Sequence, residues 1–239
     1  MSFQTLSTSI PRISFWICTS ILFVCYLFTF YAGLSDRELF IKLLSEDGPL
    51  ENIATICTLL AAIIFGLSYF KHRQSKPIFF LLFSLLLFLV FMEEISWGQR
   101  VFGIATPDSI KYLNAQGEIN LHNYTPIYKY VNDVVYLCLD LYFIGFPLLL
   151  FIIKDLNRFL LKFKLPIPSP ATALLAFLNY LLFNYFFEPI LAHRGILGHG
   201  KINYGEMLET GIELTLLLFS IECFYRGISW LKFDDSSNY

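Results

Sequence analysis

Long blocks of apolar residues, separated by short polar segments, extend along most of the chain. A helix that crosses a hydrocarbon core of about 30 Å needs about 20 residues, and six blocks reach that range. We therefore predict six transmembrane helices, at residues 13–33, 53–70, 78–97, 134–153, 171–192 and 205–231. No internal repeat interrupts the pattern, so residues 1–239 are expected to form a single transmembrane domain. The predicted fold class is all-α, a polytopic integral membrane protein.

Some connections between the blocks carry signals for short helices. Ser35 and Glu38 have the spacing of a capping box. The apolar residues after them form one face, which is typical of a helix lying on the membrane surface. Thr106 and Pro107 match a cap residue followed by proline at the first helical position. We therefore predict short interfacial helices on the outer face of the membrane.

Lysine and arginine are distributed unevenly among the connections. If the N-terminus is cytoplasmic, the inner connections carry more basic residues, on shorter segments, than the outer ones. Cytoplasmic loops normally carry this excess of positive charge. The pattern predicts a multi-pass protein of the cell membrane, in particular the bacterial cytoplasmic membrane, with both termini in the cytoplasm.

The composition agrees with a membrane protein and excludes some partners. The chain of 239 residues is 56% hydrophobic and only 15% charged, with a mean hydropathy of +0.60. Soluble domains typically have about 25% charged residues. The net charge of −2 does not supply the basic face that nucleic-acid binding requires. We therefore expect the lipid bilayer, and either a lipid-linked substrate or a partner membrane protein, as partners, and no nucleic acid.

Ionisable residues inside the predicted spans collect toward the outer side of the membrane. Glu93 and Glu94 end the third span, and Asp140 lies in the outer part of the fourth. A charged group that faces lipid costs at least about 2.5–3.5 kcal/mol, so these side chains should turn inward. We predict a chamber in the outer leaflet lined by glutamate, histidine and aspartate. Further candidates for this chamber are Gln99, Arg100, Asp140, Asn184, Glu188 and His193.

The start of the sixth span carries a stripe of carboxylates. Glu206, Glu209 and Glu213 follow an i, i+3, i+7 spacing, which places them on one helix face. Carboxylates together with a histidine suit a divalent transition metal, and carboxylates alone suit Mg²⁺ or Ca²⁺. The predicted ligands of one divalent metal ion are Glu94, His122, Glu206, Glu209 and Glu213. Glu93, Glu94 and Glu209 are the candidate catalytic residues, because a carboxylate beside a metal-bound water can act as a general base.

These polar features also have explanations that need no ligand. Glu206 lies in the first turn of a helix, where the helix dipole favours a carboxylate. Glu93 and Glu94 can mark the end of a span and pair with Arg100. Adjacent residues of a helix differ in direction by about 100°, so at most one of Glu93 and Glu94 points at a common centre.

Three stretches together resemble a signature of uncharacterised bacterial polytopic membrane proteins. They are EDGPLEN at 46–52, EEISWGQR at 93–100 and NAQGEINLHN at 114–123. The resemblance covers residues 46–123, and because no activity is assigned to that family it carries no catalytic role to this chain. It implies a common group of polar residues on the outer face. This group comprises Glu51, Glu93, Glu94, Gln99, Asn114, Gln116, Glu118, His122 and Asn123.

The sequence leaves three functions open. The first is a metal-dependent enzyme that acts on a lipid or a lipid-linked substrate, the second is a membrane scaffold or accessory subunit, and the third is a proton or cation transporter. No HExxH, GxSxG or P-loop pattern supports a known enzyme class. An ion pathway needs polar residues on both sides of the membrane, whereas the inner halves of the spans are almost entirely apolar apart from Glu222.

Overall fold

The computed structural model contains helices joined by turns. It describes residues 3–45, 47–75, 77–114, 117–121, 124, 128–153, 162–193 and 204–228. No strand occurs in these ranges, which confirms the predicted all-α class. The helices α1 to α11 are, in chain order, Phe3–Ser35, Arg37–Leu43, Pro49–Lys71, Ile78–Glu94, Gln99–Phe102, Asp108–Lys111, Tyr128–Asp140, Phe146–Ile152, Pro170–Leu181, Glu188–His193 and Gly205–Arg226. The π-helical turns Leu141–Gly145 and Leu182–Phe187 join α7 to α8 and α9 to α10.

Four stretches among the described residues are long and apolar enough to cross a membrane. They are Ser9–Ser35, Pro49–Lys71, Asn132–Leu150 and Pro170–His193. The membrane class is therefore supported, but the predicted count of six spans is not reproduced. The predicted third span ends at Glu94 as helix α4, which has 17 residues and is thus about 26 Å long, slightly less than the hydrocarbon core.

The predicted sixth span is not among these four stretches, for a different reason. Helix α11 has 22 residues but carries four glutamates, so its composition is too polar for a lipid-exposed span. It contacts α1, α3 and α9, and most of its side chains are buried among these neighbours. The helix ends at Arg226, not at residue 231 as predicted; residues 229–231 lie outside the described ranges.

Successive long helices alternate in direction, so their ends meet at two opposite ends of the bundle. At one end the amide of Ile167 donates to the carbonyl of Ile228 at 3.0 Å, and the amine of Lys164 donates to the carbonyl of Ser75. We call this the basic end; it comprises residues 71–75, 162–169 and 226–228. The opposite, acidic end comprises residues 36–48, 93–121 and the first turns of α11, in their described parts.

The first interfacial helix differs from its prediction in both its cap and its position. Asp36, not Ser35, caps α2, because its side chain accepts a hydrogen bond from the amide of Leu39 at 3.0 Å. The hydroxyl of Ser35 instead donates to a carbonyl at the end of α1. Phe40 and Leu43 are buried in the protein core, so the apolar face of α2 packs against the bundle and does not lie on lipid.

The second interfacial helix, α6, starts one residue later than predicted. Pro107 is the residue before its first turn and Asp108 is the first helical residue. The hydroxyl of Thr106 does not cap the helix, because it accepts a hydrogen bond from the amide group of Gln99. This hydrogen bond therefore links Gln99, near the start of the connection after α4, to Thr106 later in the same connection.

Helices α1, α9 and α11 meet in a close polar contact inside the core. The hydroxyl of Tyr26 donates to Oδ1 of Asn179 at 2.9 Å, and Nδ2 of Asn179 donates to the carbonyl of Leu208 at 3.0 Å. A Cβ atom added to Gly211 would lie 2.0 Å from Oδ1 of Asn179. Only glycine therefore lets α9 approach α11 at this point, and the buried amide keeps its hydrogen-bond partners.

Replacement of Gly211 by alanine should destabilise the bundle by at least about 1–3 kcal/mol, because the added methyl group overpacks the core. Thermal unfolding in detergent micelles measures this as a lower midpoint. Gly145→Ala is the matched control, since the nearest contact of an added Cβ there is 3.6 Å. Equal midpoints for the two variants would contradict the proposed role of Gly211.

The predicted orientation can be tested with single cysteines at opposite ends. Ser75 at the basic end and Ser109 in α6 at the acidic end are both exposed. In a background without the native cysteines, Ser109→Cys should react with a membrane-impermeant thiol reagent in intact cells, and Ser75→Cys should react only after lysis. The opposite labelling pattern would reverse the predicted orientation.

Candidate functional site

A cavity of about 360 Å³ lies between helices α3, α4, α7 and α11. Most of its wall consists of leucine, valine, isoleucine and phenylalanine side chains. Five polar side chains line it as well, and they come from the ends of the helices that lie toward the acidic end of the bundle. These are Glu94, Asn132, Tyr136, Glu209 and Glu213. The cavity therefore has an apolar body and an acidic, hydrogen-bonding portion.

Two of the carboxylates in the cavity are held by hydroxyl groups of neighbouring helices. The hydroxyl of Tyr136 in α7 donates to Glu209, and the hydroxyl of Thr58 in α3 donates to Glu213. Glu94 reaches the same cavity from the end of α4. Hydrogen bonds to a carboxylate offset the cost of removing it from water. These contacts keep the two acids of α11 in defined positions at the cavity wall.

Aromatic rings close the cavity toward the basic end. Phe219 packs edge to face against Phe65 and Phe143, with ring centroids 5.6 and 5.4 Å apart. Phe83 and Tyr142 extend this aromatic floor, and all five rings also line the cavity. Such pairs are stabilising beyond their buried area. The aromatic floor therefore separates the acids of the cavity from polar residues nearer the basic end.

The cavity opens sideways between α4 and α7. Leu86 of α4 and Val135 of α7 both line it, and their side chains are also 56% and 45% exposed at the outside of the bundle. Helix α7 belongs to a stretch that is apolar enough to face lipid. Leu86 and Val135 therefore place an apolar part of the cavity wall at the outside of the bundle.

Glu222, the acid that the sequence places in the inner half, lies beyond the aromatic floor. It is buried, and it accepts hydrogen bonds from the hydroxyls of Ser169 and Thr172, each at 2.6 Å. Arg226 lies 4.0 Å away on the next turn of α11. Ser169 also caps the start of α9. These contacts tie α9 to α11, and Glu222 does not line the cavity.

The structure brings together some of the predicted metal and catalytic residues and separates others. Glu94, Glu209 and Glu213 line one cavity, whereas Glu206 is buried at the start of α11 and does not line it. His122 lies outside the described ranges. Within the described ranges, no group of three or more histidine, cysteine, aspartate or glutamate side chains is arranged to hold a metal ion. The divalent metal stays a prediction.

Glu93 and Glu94 have different roles although they are adjacent. The carboxylate of Glu93 accepts hydrogen bonds from Nε1 of Trp97 at 2.6 Å and from the amide of Leu121 at 2.5 Å. Glu94 lies on the neighbouring face of the helix and lines the cavity. The catalytic candidate Glu93 therefore ties the connection after α4 to the end of that helix.

The signature residues of that connection form a folded cap over the acidic end. The hydroxyl of Ser96 donates to the carboxylate of Glu118, and Nδ2 of Asn120 lies 3.1 Å from the Ser96 hydroxyl. Nδ2 of Asn114 donates to Oδ1 of Asn120 at 2.6 Å. Gln99 accepts from the amide of Ile119 at 2.7 Å. We refer to residues 95–121, in their described part, as the cap.

A left-handed turn lies at the centre of the cap. Ser96, Trp97 and Gly98 have φ angles of 48°, 55° and 77°. Residues other than glycine adopt this region rarely and at a cost of about 1–3 kcal/mol each, unless the surroundings hold them. The hydrogen bonds of Ser96 with Glu118 and of Trp97 with Glu93 hold the turn in this conformation. The conspicuous EEISWGQR stretch is thus explained by the geometry of the cap.

Other predicted chamber residues lie away from the cavity. Glu51 accepts a hydrogen bond from the amide of Asp47 at 2.5 Å and so stabilises the start of α3. Asp140 lines a separate pocket of about 20 Å³ together with Asn179. Asn184 donates to the carbonyl of Tyr180 within its own helix at 2.9 Å. None of these three lines the large cavity.

The π-helical turns explain part of this separation. In such a turn the hydrogen bonds run from residue i to i+5, so the following residues are rotated by about 100° relative to a regular α-helix. Asn184 lies inside the turn Leu182–Phe187 and Glu188 follows it. Glu188 therefore points in a different direction from the one that a regular α-helix would give it, and His193 at the end of α10 is exposed.

Gln116, His122 and Asn123 lie outside the described residues, and the side chain of Arg100 does so too. Their participation in the outer-face group stays a prediction.

The sequence contains no signal for Thr58, which bonds to Glu213, or for Asn132, which lines the cavity. Thr58 carried no signal, because a threonine in an apolar helix normally bonds to its own backbone, as it also does here to Ala54 at 3.1 Å. Asn132 also gave no signal in the sequence. Tyr136 lies three residues after Asp133 and four before Asp140, a spacing that predicts one shared helix face, but Tyr136 lines the cavity whereas Asp133 is exposed and Asp140 lines the separate pocket.

Replacement of Asn120 by alanine should loosen the cap, because it removes the hydrogen bonds of its side-chain amide to Ser96, Asn114 and Glu118. Each such loss costs about 1–3 kcal/mol. Amide hydrogen exchange should accelerate across residues 96–121 and remain unchanged in α3. Leu121→Ala, which truncates an exposed side chain, is the control. Unchanged exchange in the Asn120 variant would refute the role of this network.

Comparisons of the chain with models of known protein families, with functionally described proteins and with solved structures find no match.

Proposed function

We propose that this protein is a membrane-embedded enzyme that acts on a lipid or a lipid-linked molecule. The observation that carries the proposal is the cavity of about 360 Å³, in which an apolar body open to the bilayer adjoins Glu94, Glu209 and Glu213. Ligand sites typically have this size, with apolar walls and a few polar groups that fix orientation. The cavity suits an amphiphile whose chain occupies the apolar body and whose polar part meets the carboxylates.

The polar groups have the chemistry of a general acid and base. Glu209 is positioned to accept a proton from a hydroxyl group of the bound substrate or from a water molecule beside it. Tyr136 donates its hydroxyl hydrogen to Glu209; once Glu209 has taken up a proton, this hydrogen is free to be donated to a developing negative charge. Glu94 faces the same space from the opposite helix. The aromatic floor keeps the reacting groups away from water at the basic end.

The predicted divalent metal would add a Lewis acid to this set. Glu94, Glu209 and Glu213 are the described carboxylates that it could contact in the cavity. Metal binding is not required for the proton transfers proposed for Glu209 and Tyr136, so the two proposals can be tested separately.

Transport and scaffolding receive less support. A pathway for protons or cations would have to pass the rings of Phe65, Phe143 and Phe219, which pack against one another below the acids. Glu222 lies beyond these rings and is bonded to Ser169 and Thr172. No particular surface of the described residues favours a scaffold over an enzyme.

The proposal predicts that purified protein changes the composition of a lipid extract from its own membranes. Incubation with the wild-type protein should deplete one lipid species and generate a product, followed by mass spectrometry. Glu209→Gln should reduce the rate by about 100-fold or more, which is typical for loss of a general acid or base. Glu38→Gln, at an exposed position of α2, should retain the wild-type rate.

Binding is measured separately from chemistry with a phospholipid that carries a photoreactive diazirine in its acyl chain. Wild-type protein and Glu209→Gln should be labelled equally on peptides of α4, α7 and α11. Leu139→Trp fills the cavity and should reduce this labelling. Absence of labelling would refute the lipid site, whereas labelling without any conversion of lipid would refute the enzyme.

A further inference from the structure

We propose a second lipid site, at the basic end, that binds one acyl chain and the phosphate of an anionic phospholipid. The site is independent of the cavity described above and lies on the opposite side of the aromatic floor. It consists of a groove between α1, α3 and α11, with the amine of Lys71 at its mouth.

The groove has the volume and the lining expected for a hydrocarbon chain. Its volume is about 250 Å³, and its walls come from three helices that meet at the basic end. The lining residues are Ile10, Ser14, Ile64, Leu67, Ile221, Phe224 and Tyr225. Leu67 is 52% exposed, so the groove is open at the lipid-facing surface of α3. A bilayer lipid can therefore enter it laterally.

Lys71 places a positive charge directly at this groove. Its Nζ atom lies 3.9 Å from the ring centroid of Phe224 and 4.9 Å from that of Tyr225, and both rings line the groove. The ammonium group has three N–H donors. One is directed at the carbonyl of Phe224 at 2.7 Å, which fixes the position of the amine. The other donors can bind phosphate oxygens.

The charge around the groove mouth favours an anionic headgroup. Arg73 is exposed two residues after Lys71. In the described part of this end, the carboxylate that lies nearby is Glu222, which is buried and bonded to two hydroxyls and Arg226. Basic groups between transmembrane helices are a common way to recognise anionic lipid headgroups.

A phospholipid of the surrounding bilayer fits these observations better than a protein segment. The groove combines an apolar trough between three helices with a cation at the end of the stretch Pro49–Lys71. This arrangement matches the order of acyl chain and phosphate in a lipid. A partner helix would fill the apolar groove but would leave the amine of Lys71 without a matching anion.

Native mass spectrometry of the full chain in detergent tests the proposal. The probes are dioleoyl phosphatidylglycerol and dioleoyl phosphatidylcholine, each added at the same concentration. The wild-type protein should retain the anionic lipid preferentially. Lys71→Gln should reduce this preference by about fivefold, as expected for loss of one basic residue near an anionic lipid. Lys42→Gln, an exposed lysine at the acidic end, should leave it unchanged.

A second variant tests the groove itself. Leu67→Trp should block the trough and reduce retention of both lipids, while Lys71→Arg should retain the preference for phosphatidylglycerol. Size-exclusion profiles and thermal midpoints identify any variant that does not fold. Equal retention of the two lipids by the wild-type protein, or an unchanged preference in Lys71→Gln, would overturn the proposal. Displacement of lipid by dimer formation would identify a second copy of the chain as the occupant.

Discussion

The cost of placing carboxylates within a membrane shapes this bundle more than any other constraint. Helix α11 carries four glutamates, and each would be strongly unfavourable against lipid. The helix therefore lies among α1, α3 and α9. Where the contacts are described, hydroxyl groups of the neighbours donate to its acids: Tyr136 to Glu209 and Thr58 to Glu213. The surrounding helices therefore shield α11 from lipid and donate hydrogen bonds to its acids.

Glutamates toward both ends of α11 accept hydrogen bonds from hydroxyl groups of neighbouring helices, but the surroundings of these glutamates differ. At the basic end, Glu222 is enclosed by Ser169 and Thr172, and the contact joins α9 to α11. Nearer the acidic end, the neighbours of Glu209 and Glu213 leave a cavity that also reaches the lipid face. A carboxylate that is fully enclosed contributes to packing, whereas one that borders an accessible cavity can meet a ligand. This difference is the basis for assigning the candidate site to one end.

The cap shows how a distinctive motif can serve the fold. The EEISWGQR stretch bends through a left-handed turn at Ser96, Trp97 and Gly98. Glu93 and Glu118 stabilise this turn through hydrogen bonds. Of the residues in the stretch, Glu94 is the one that lines the cavity. The cap therefore positions the end of α4, and through it the carboxylate of Glu94, at the wall of the cavity.

The sequence by itself determined the all-α membrane class and the approximate positions of the long helices, because apolar blocks of about 20 residues have few other stable states. It also brought Glu94, Glu209 and Glu213 into one candidate set, through helix spacing and a shared membrane side. Tertiary structure decided the rest. The π-helical turn Leu182–Phe187 changed the directions of Asn184 and Glu188, which were predicted to line the chamber, and the cap engaged Glu93. The cavity depends on how α4 and α7 are separated around α11, a distance between helices that the periodicity of a single helix does not encode.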